Sequence, residues 1–369
     1  MTINQDRRFL SGPRGKRHKL VFVLAVCVVA VLAGAKNYRQ IASQAADLPQ
    51  SLLAKLGAKW CVFLWRFLWP SEPTIRRVVS GIDAGELDAA IGVWLRERVC
   101  RESETMMAIA IDGKVLRGSW FNDHVPLVLF SAMVHRRGVP VAQIAVPEGT
   151  NEITQVRALL DPVTVPEGQR VLVTMDAAHT QRDTAEYIVG ERGWDYVMTI
   201  KGNQPTLWEA AAGTLRPLLG NSPDDVVTER GHGRINRWSI WTAEATGIDF
   251  PHGRQLACIR RDEFGLDEIA VSKEIVYAIT SARAEHIGAA ALNIHTRQHW
   301  GIENKVHYVR DVVWNEDGHQ AYVGHGPQVM ATLRNFALGL FRLNGINKIT
   351  EATETICRDR TRALPLLAT

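Results

Sequence analysis

Three acids in this sequence stand where chemistry could happen, and Glu303 has the most structured setting. It lies in RQHWGIENKVHYVRDVVWNED, residues 297–317. Read as a helix, His299, Glu303, His307 and Arg310 share one polar side, spaced by four, four and three. Trp300, Ile302, Val306, Val309 and Val313 supply the apolar positions. A carboxylate placed like that, with basic residues a turn away on each side, either pairs with Arg310 and His299 or holds a cation. The other two acids are Asp112 and Asp176. Each directly follows a short apolar run, residues 107–111 and 171–175, that reads as a buried strand. Ends of buried strands are where open α/β sheets place functional side chains, because the strand is rigid and its end faces solvent. One Asp at a strand end means little, since Asp favours turns. Two of them with Glu303 form a more specific pattern. Three converging carboxylates repel unless a cation lies between them.

The cation that suits hard oxygen ligands with water positions left open is Mg²⁺ or Mn²⁺. Two such ions about 4 Å apart serve in-line displacement at phosphorus, one activating the attacking oxygen and one stabilising the leaving 3′ oxygen. The acids therefore point to a metal triad for phosphodiester chemistry, Asp112, Asp176 and Glu303. The plainer reading pairs Glu303 with Arg310 and assigns it no chemistry. A histidine site on His295, His299 and His307 is disfavoured, because there is no HExxH pattern and no nearby cysteine.

The elements that must position these acids read as follows. Residues 1–19 are polar, with Arg7, Arg8, Arg14, Lys16, Arg17, His18 and Lys19 forming a basic arm. The apolar run LVFVLAVCVVAVLAGA at 20–35 resembles a signal peptide or an anchor, yet it falls short of the roughly 20 residues a spanning helix needs. A fully buried helix is the alternative. A second helix is expected at 38–46. Trp60, Phe63, Trp65, Phe67 and Trp69 form an aromatic cluster that, at helical spacing, belongs in a core. Ser71 with Pro73 opens a helix carrying Arg76 and Arg77, and Asp83 with Glu86 caps another that runs to about residue 99. This pair is either a helix-turn-helix DNA reader or a plain helical pair.

From residue 106 strands at 107–111, 125–134 and 139–146 suggest an antiparallel meander. Helix and strand then alternate: a helix at 151–160, a strand at 171–175, a helix at 184–191 and a strand at 196–200. That is a mixed sheet covered by helices. Strands at 226–229, 237–242, 256–261 and 275–280 look like a β-rich insertion, with the basic hairpin GHGRINRW at 231–238. The chain is helical again from about 284, and an amphipathic helix spans 327–343. The 369 residues suffice for a large core, and a net charge of +4 does not by itself announce a nucleic-acid partner. Five scattered cysteines without a CxxC pair fit reduced thiols better than a disulfide frame or a zinc site.

Several long segments resemble bacterial insertion-sequence transposases of the ISAs1 group, within the IS4-like DDE transposases, H-repeat-associated type. They are HKLVFVLAVCVVAVLAGAKNY, PSEPTIRRVV, AIDGKVLRGSW, VTMDAAHTQ, YVMTIKGNQP, GHGRINRW, HWGIENKVHYVRDVVWNED and GPQVMATLRNFALGLFR, and they span nearly the whole chain. The resemblance implies an α/β, RNase H-like mixed sheet flanked by helices, with an N-terminal helical region and a β-rich insertion ahead of the helix of Glu303. The implied division is an arm at 1–19, a helical region at 20–104 with a possible DNA-binding role, a catalytic domain at 105–345 with its insertion at about 206–283, and a tail at 346–369. It implies that Asp112, Asp176 and Glu303 are the DDE residues, holding two Mg²⁺ or Mn²⁺ ions. The enzyme would bind the element's end repeats and target DNA, cut strands and transfer 3′-OH ends, working as a homodimer on DNA in the bacterial cytoplasm at the nucleoid, with no stable membrane association. Lys114, Arg117, Lys201, Arg234, Arg237, His299 and Arg310 are the candidate DNA contacts. Many IS4-like enzymes carry Tyr-x2-Arg-x3-Glu-x6-Lys around the catalytic glutamate; here Thr296, His299, Glu303 and Arg310 hold those places. That departure speaks against carrying over a hairpin-forming excision pathway. A catalytically silent DNA-binding remnant and a membrane-anchored protein are the competing expectations.

Overall fold

The computed structural model describes residues 18–100, 106–120, 125–231 and 233–368. Arg7, Arg8, Arg14, Lys16 and Arg17 of the basic arm, the boundary expected at 104/105 and His232 of the basic hairpin lie outside them.

The N-terminal region holds α1 (Leu20–Leu32), α2 (Tyr38–Ala46), α3 (Gln50–Lys55), a hairpin of β1 (Trp60–Cys61) and β2 (Arg66–Phe67), α4 (Glu72–Gly81) and α5 (Ala84–Val99). Next come β3 (Met106–Val115), β4 (Val128–Val134), β5 (Val139–Ala145), α6 (Val156–Leu160), β6 (Arg170–Met175), α7 (Arg182–Glu186), β7 (Asp195–Ile200) and α8 (Pro205–Leu215). Four long strands follow, β8 (Asp225–Gly231), β9 (Arg234–Glu244), β10 (Gln255–Gly265) and β11 (Ala270–Thr280). The chain ends with α9 (Ala289–His299), α10 (Tyr308–Trp314), α11 (Gly326–Leu343), α12 (Ile349–Arg358) and α13 (Ala363–Leu367).

One nine-stranded sheet runs β5-β4-β3-β6-β7-β11-β10-β9-β8. The meander β3-β4-β5 is antiparallel, while β6 and β7 run parallel to β3. This is the RNase H-like arrangement. Its parallel centre is apolar on both faces, as strands covered by helices on either side must be: Ile109, Leu172, Val173, Tyr196 and Met198 are fully buried. Helix α9 lies over one face, where Leu292 packs with Ala108, Leu172, Val197 and Ala257. On the other face α5 and α11 cover β5.

The β-rich insertion is not a separate appendage. Its last strand, β11, pairs antiparallel with β7 from Tyr277↔Ile200 to Thr280↔Val197, so the insertion continues the central sheet. Residues 270–276 of β11 therefore overhang the C-terminal end of β7, by roughly 20 Å at a strand rise of about 3.4 Å per residue. Gly265 of β10 and Arg234 of β9 pair with each other at the far end of the same overhang.

Helix α1 is buried along nearly all its length, with Val26, Cys27, Val29, Val31 and Leu32 wholly inaccessible. It packs on α11, α2, α4 and α12, which selects the buried-helix reading. No helix among the described residues is long and apolar enough to cross a membrane. The aromatic cluster corrects the expectation. Only Phe67 and Trp69 lean on the core. Trp65 takes a left-handed conformation, φ 50°, which breaks the helical spacing and turns the chain into the β1–β2 hairpin. Its tip projects, with Phe63 95% and Trp65 79% exposed. Phe63→Ser is accordingly expected to change the unfolding free energy by no more than about 0.5 kcal/mol in urea titration, where a packed phenylalanine would cost several-fold more.

Asp83 caps α5 as expected, accepting a hydrogen bond from the Glu86 amide at 3.0 Å. As a helix-turn-helix the pair is poorly placed. α5 lies against β5 and α11, and its free face presents Glu86, Ala89, Ala90, Val93 and Glu97, with no cation among them. Arg76 is tied to Glu72 at 2.5 Å, whereas Arg77 is exposed. The segment expected as a tail folds as α12 and α13, which put Ile349, Ile356, Ala363 and Leu366 into the main core.

Candidate active site

The sheet brings the first two acids together by register. Ala110 of β3 pairs with Thr174 of β6 in parallel, which sets Asp112 beside Asp176. Asp176 lies just past β6, as expected. Asp112 does not lie past a strand: β3 continues to Val115, and Asp112 pairs with Ser131 of the antiparallel β4. The two edges of β3 end their pairing at different heights. The parallel partner stops at Ala110, while the antiparallel one carries on.

Glu303 reaches the same place from the helical layer. His307 Nδ1 is 3.0 Å from Glu303 Oε2 and 3.6 Å from Asp112 Oδ2. Ligand atoms of Asp112, Glu303 and His307 all lie within 4.8 Å of one another. Asp176 is held separately. Its Oδ1 accepts from His179 Nδ1 at 2.8 Å and from the amides of Ala178 and His179 at 3.0 and 3.3 Å. The His179 ring in turn stacks on Phe130, 5.1 Å between centroids. Sequence reasoning missed His179 as an orienting group; the signal was DAAH, a histidine three residues after the acid.

The electrostatics separate the acids. Burial pushes the Asp112 carboxyl up, with smaller increments from Asp176 and Glu303 and an opposing pull from His307. Burial acts on Asp176 in the same direction, but the His179 hydrogen bonds and charge outweigh it and hold the carboxyl low. Glu303 is lowered chiefly by its hydrogen bond from His307. A carboxyl pushed up by burial and by its acidic neighbours, beside two held ionised, fits a group that is completed by a cation. The donor set, carboxylate oxygens open to solvent on one side, suits Mg²⁺ or Mn²⁺.

The helix bearing Glu303 is not regular. Between α9 and α10 it widens into a π turn, Glu303–His307. Such single-turn bulges rotate everything that follows, and they are frequent at functional sites. Here the turn keeps His307 under Glu303 and swings Arg310 off that face into the interior. Arg310 is fully buried, 2.6 Å from Glu316 Oε2, and Glu316 Oε1 takes Arg334 at 2.9 Å. Arg310 is therefore neither the partner of Glu303 nor a DNA contact. His299 brings no positive charge to a phosphate. Its Nδ1 meets Thr174 Oγ1 at 3.2 Å, and burial lowers its pKa to about 4, so it is neutral at pH 7. Lys114 is committed to Asp311 at 2.6 Å and Asp317 at 3.6 Å, with its side chain 9% exposed. Arg117 and Lys201 are open to solvent. Lys201 follows β7 in a loop whose Asn203 and Gln204 donate to the carbonyls of Ala177 and Thr180 beside Asp176. Arg234, 3.0 Å from Glu263, and Arg237 lie on the overhang, both exposed.

Two acids and a histidine thus meet in a half-buried cluster, with a third acid beside it, on an RNase H-like sheet. The chain belongs to the DDE transposases of IS4-like type: the Transposase DDE domain family matches residues 105–340. A model described as DDE_Tnp_1-associated matches residues 6–95. Among curated relatives, the chain is similar to "Putative transposase YncI" of Escherichia coli O157:H7, 29% identical over 88% of this chain and 83% of that one. It is 28% identical to "H repeat-associated putative transposase YhhI" of Escherichia coli K12, over 88% of this chain and 85% of the relative. A solved piggyBac transposase synaptic complex with hairpin DNA shares 10% identity at a TM-score of 0.40, over 97% of this chain and 74% of that one.

Proposed function

We propose that the chain is an active transposase that binds the end repeats of its insertion sequence, cuts DNA strands there and joins the freed 3′-OH to target DNA. The observation that carries this reading is the meeting of Asp112, Glu303 and His307 beside Asp176 at one end of the sheet. Asp112, Asp176 and Glu303 would hold Mg²⁺ or Mn²⁺, which supplies Lewis-acid activation of the attacking oxygen and charge relief on the leaving one. In cleavage the oxygen of water bonds to phosphorus, the P–O3′ bond breaks, and the 3′ oxygen takes up a proton. In transfer that 3′ oxygen bonds to the phosphorus of a target phosphodiester, the target's own P–O3′ bond breaks, and the proton lost by the attacking hydroxyl balances the one taken up by the freed target 3′ oxygen. The residues around the acids preorganise them. His307 fixes Glu303 from below, and His179, braced by Phe130, fixes Asp176. Lys114, buried next to Asp311, adds positive charge behind Glu303 without reaching solvent.

DNA would approach along the exposed cations Arg117, Lys201, Arg234 and Arg237, the last two carried past the acids by the overhanging strands. Work on two DNA segments in a homodimer, in the cytoplasm at the nucleoid, belongs to this reading. Arg117→Ala and Lys201→Ala should each weaken binding of end-bearing duplex and flatten the slope of log K against log salt by about one unit for each phosphate no longer neutralised. Fluorescence anisotropy at several salt concentrations measures this; an unchanged slope for both removes them from the interface. The reading as a whole is tested by incubating the protein with end-bearing duplex and Mg²⁺. Nicks at the element ends support it. Salt-dependent binding without nicking under any divalent ion leaves a silent remnant.

A further inference from the structure

We propose that Glu152 is a fourth carboxylate of the catalytic cluster and helps Asp112 and Asp176 to hold the divalent cation. This rests on the metal-dependent reading above.

Glu152 opens the 3₁₀ turn Glu152–Gln155 that leads into α6. An acid at such a position ordinarily serves its own turn, facing the free amides. Here that work is done by Asn151, whose side chain accepts from the Thr154 amide at 3.2 Å. The Glu152 side chain instead crosses to β3 and lies directly over Gly113, the residue after Asp112. A Cβ at Gly113 would overlap the Glu152 carboxylate. A glycine inside a strand is a weak choice unless something must come close to the backbone; at Gly113 that something is this carboxylate.

Burial pushes the Glu152 carboxyl up and its neighbours Asp112 and Asp176 add to that, while His179 and His307 pull it down. It thus senses both halves of the site, the Asp176–His179 pair and the Asp112–His307 pair. Asp176 and Glu303 each have a histidine to hold them. No donor among the described residues hydrogen-bonds the half-buried carboxylate of Glu152. Placing an undonated carboxylate beside two more acids is costly by burial and by repulsion. A cation shared with Asp112 and Asp176 removes both costs.

The test is Mn²⁺ binding to the full chain, read from the loss of the free-ion EPR signal, at fixed pH and with circular dichroism as the check on folding. The variants are Glu152→Gln, Glu152→Ala, Gly113→Ala, the double variant Gly113→Ala with Glu152→Ala, and Asp112→Asn. Glu152→Gln should weaken Mn²⁺ binding by about tenfold to a hundredfold, the range for losing a group that supports a metal. Gly113→Ala should do the same, because its methyl displaces the carboxylate. On the Glu152→Ala background Gly113→Ala should add no further loss, since the space is then free. Wild-type Mn²⁺ affinity in both Glu152 variants, with Asp112→Asn weakened, overturns the proposal and leaves the triad standing. Additive losses in the double variant overturn it as well. Unchanged affinity in Asp112→Asn overturns the metal reading beneath it.

Discussion

Glu303→Gln, Asp112→Asn and Asp176→Asn are each expected to slow Mg²⁺-dependent cleavage of end-bearing DNA by about a thousandfold or more. Each keeps the shape of the side chain and removes the charge. The Lewis-acid contribution at such sites is worth several kcal/mol, and each 1.36 kcal/mol is a factor of ten in rate. DNA affinity should change little, because none of the three is a cation and binding is dominated by phosphate contacts. The folds should survive: side chains of Asp112, Asp176 and Glu303 are 27%, 47% and 55% exposed, so no amide is forced into a dry interior. Gel assays of nicking, run beside anisotropy on the same preparations, separate chemistry from binding. A variant that still cuts within tenfold of wild type takes its residue out of the triad.

Glu316→Gln is expected to cost the fold about 3–5 kcal/mol, the usual penalty for breaking a buried ion pair on one side only. The carboxylate sits between Arg310 and Arg334, all three essentially inaccessible. Glutamine leaves two buried guanidinium groups facing a neutral amide. Burial on its own would raise the Glu316 pKa, but the two arginines overcome it and lower the value from 4.5 to about 2. The folded state therefore favours the charged carboxylate more than the unfolded chain does. This stabilisation is complete above about pH 4.5 and is lost as the pH falls towards 2. Urea midpoints of wild type should fall between pH 5 and pH 3, and those of Glu316→Gln should fall less over the same interval. Parallel curves would mean that Glu316 does not carry the acid sensitivity.

How far the sequence revealed this molecule depends on what each residue answers to. Asp176 was legible because its strand ends on both edges at once. Asp112 was harder, since the apolar run stops at Ile111 although the strand does not; one edge of β3 is paired further than the other, and no single-strand pattern records that. Uniform apolarity at 20–35 fits an anchor and a buried helix alike, and the packing of α1 on α11, α2, α4 and α12 decides for the second. The π turn was not legible: His299, Glu303, His307 and Arg310 satisfy ordinary helical spacing, and only the inserted residue in the turn decides that Arg310 goes inward to Glu316. The hairpin at 60–67 failed for a related reason, because aromatic spacing suggested a helix that Trp65 interrupts. Glu152 drew no reading from the sequence, because an acid opening a short turn carries no distinctive signal and its close approach to Gly113 is a tertiary fact.

Helix α1 gives the molecule a final property. The Val31 carbonyl accepts from the indole of Trp314 at 2.8 Å, seven residues after His307, and the Lys36 carbonyl accepts from Arg334 at 3.0 Å. Residues of α1, α5, β3, β6 and α11 belong to one continuous apolar cluster. The described parts of the two matched segments, 18–95 and 106–340, thus share one core. The first cannot be replaced by an unrelated module without opening the core of the second, unlike beads joined by linkers. Change that leaves this core intact is confined to surface side chains, to the projecting hairpin and to the overhang, since the helix that carries Glu303 is fastened to the start of the described chain.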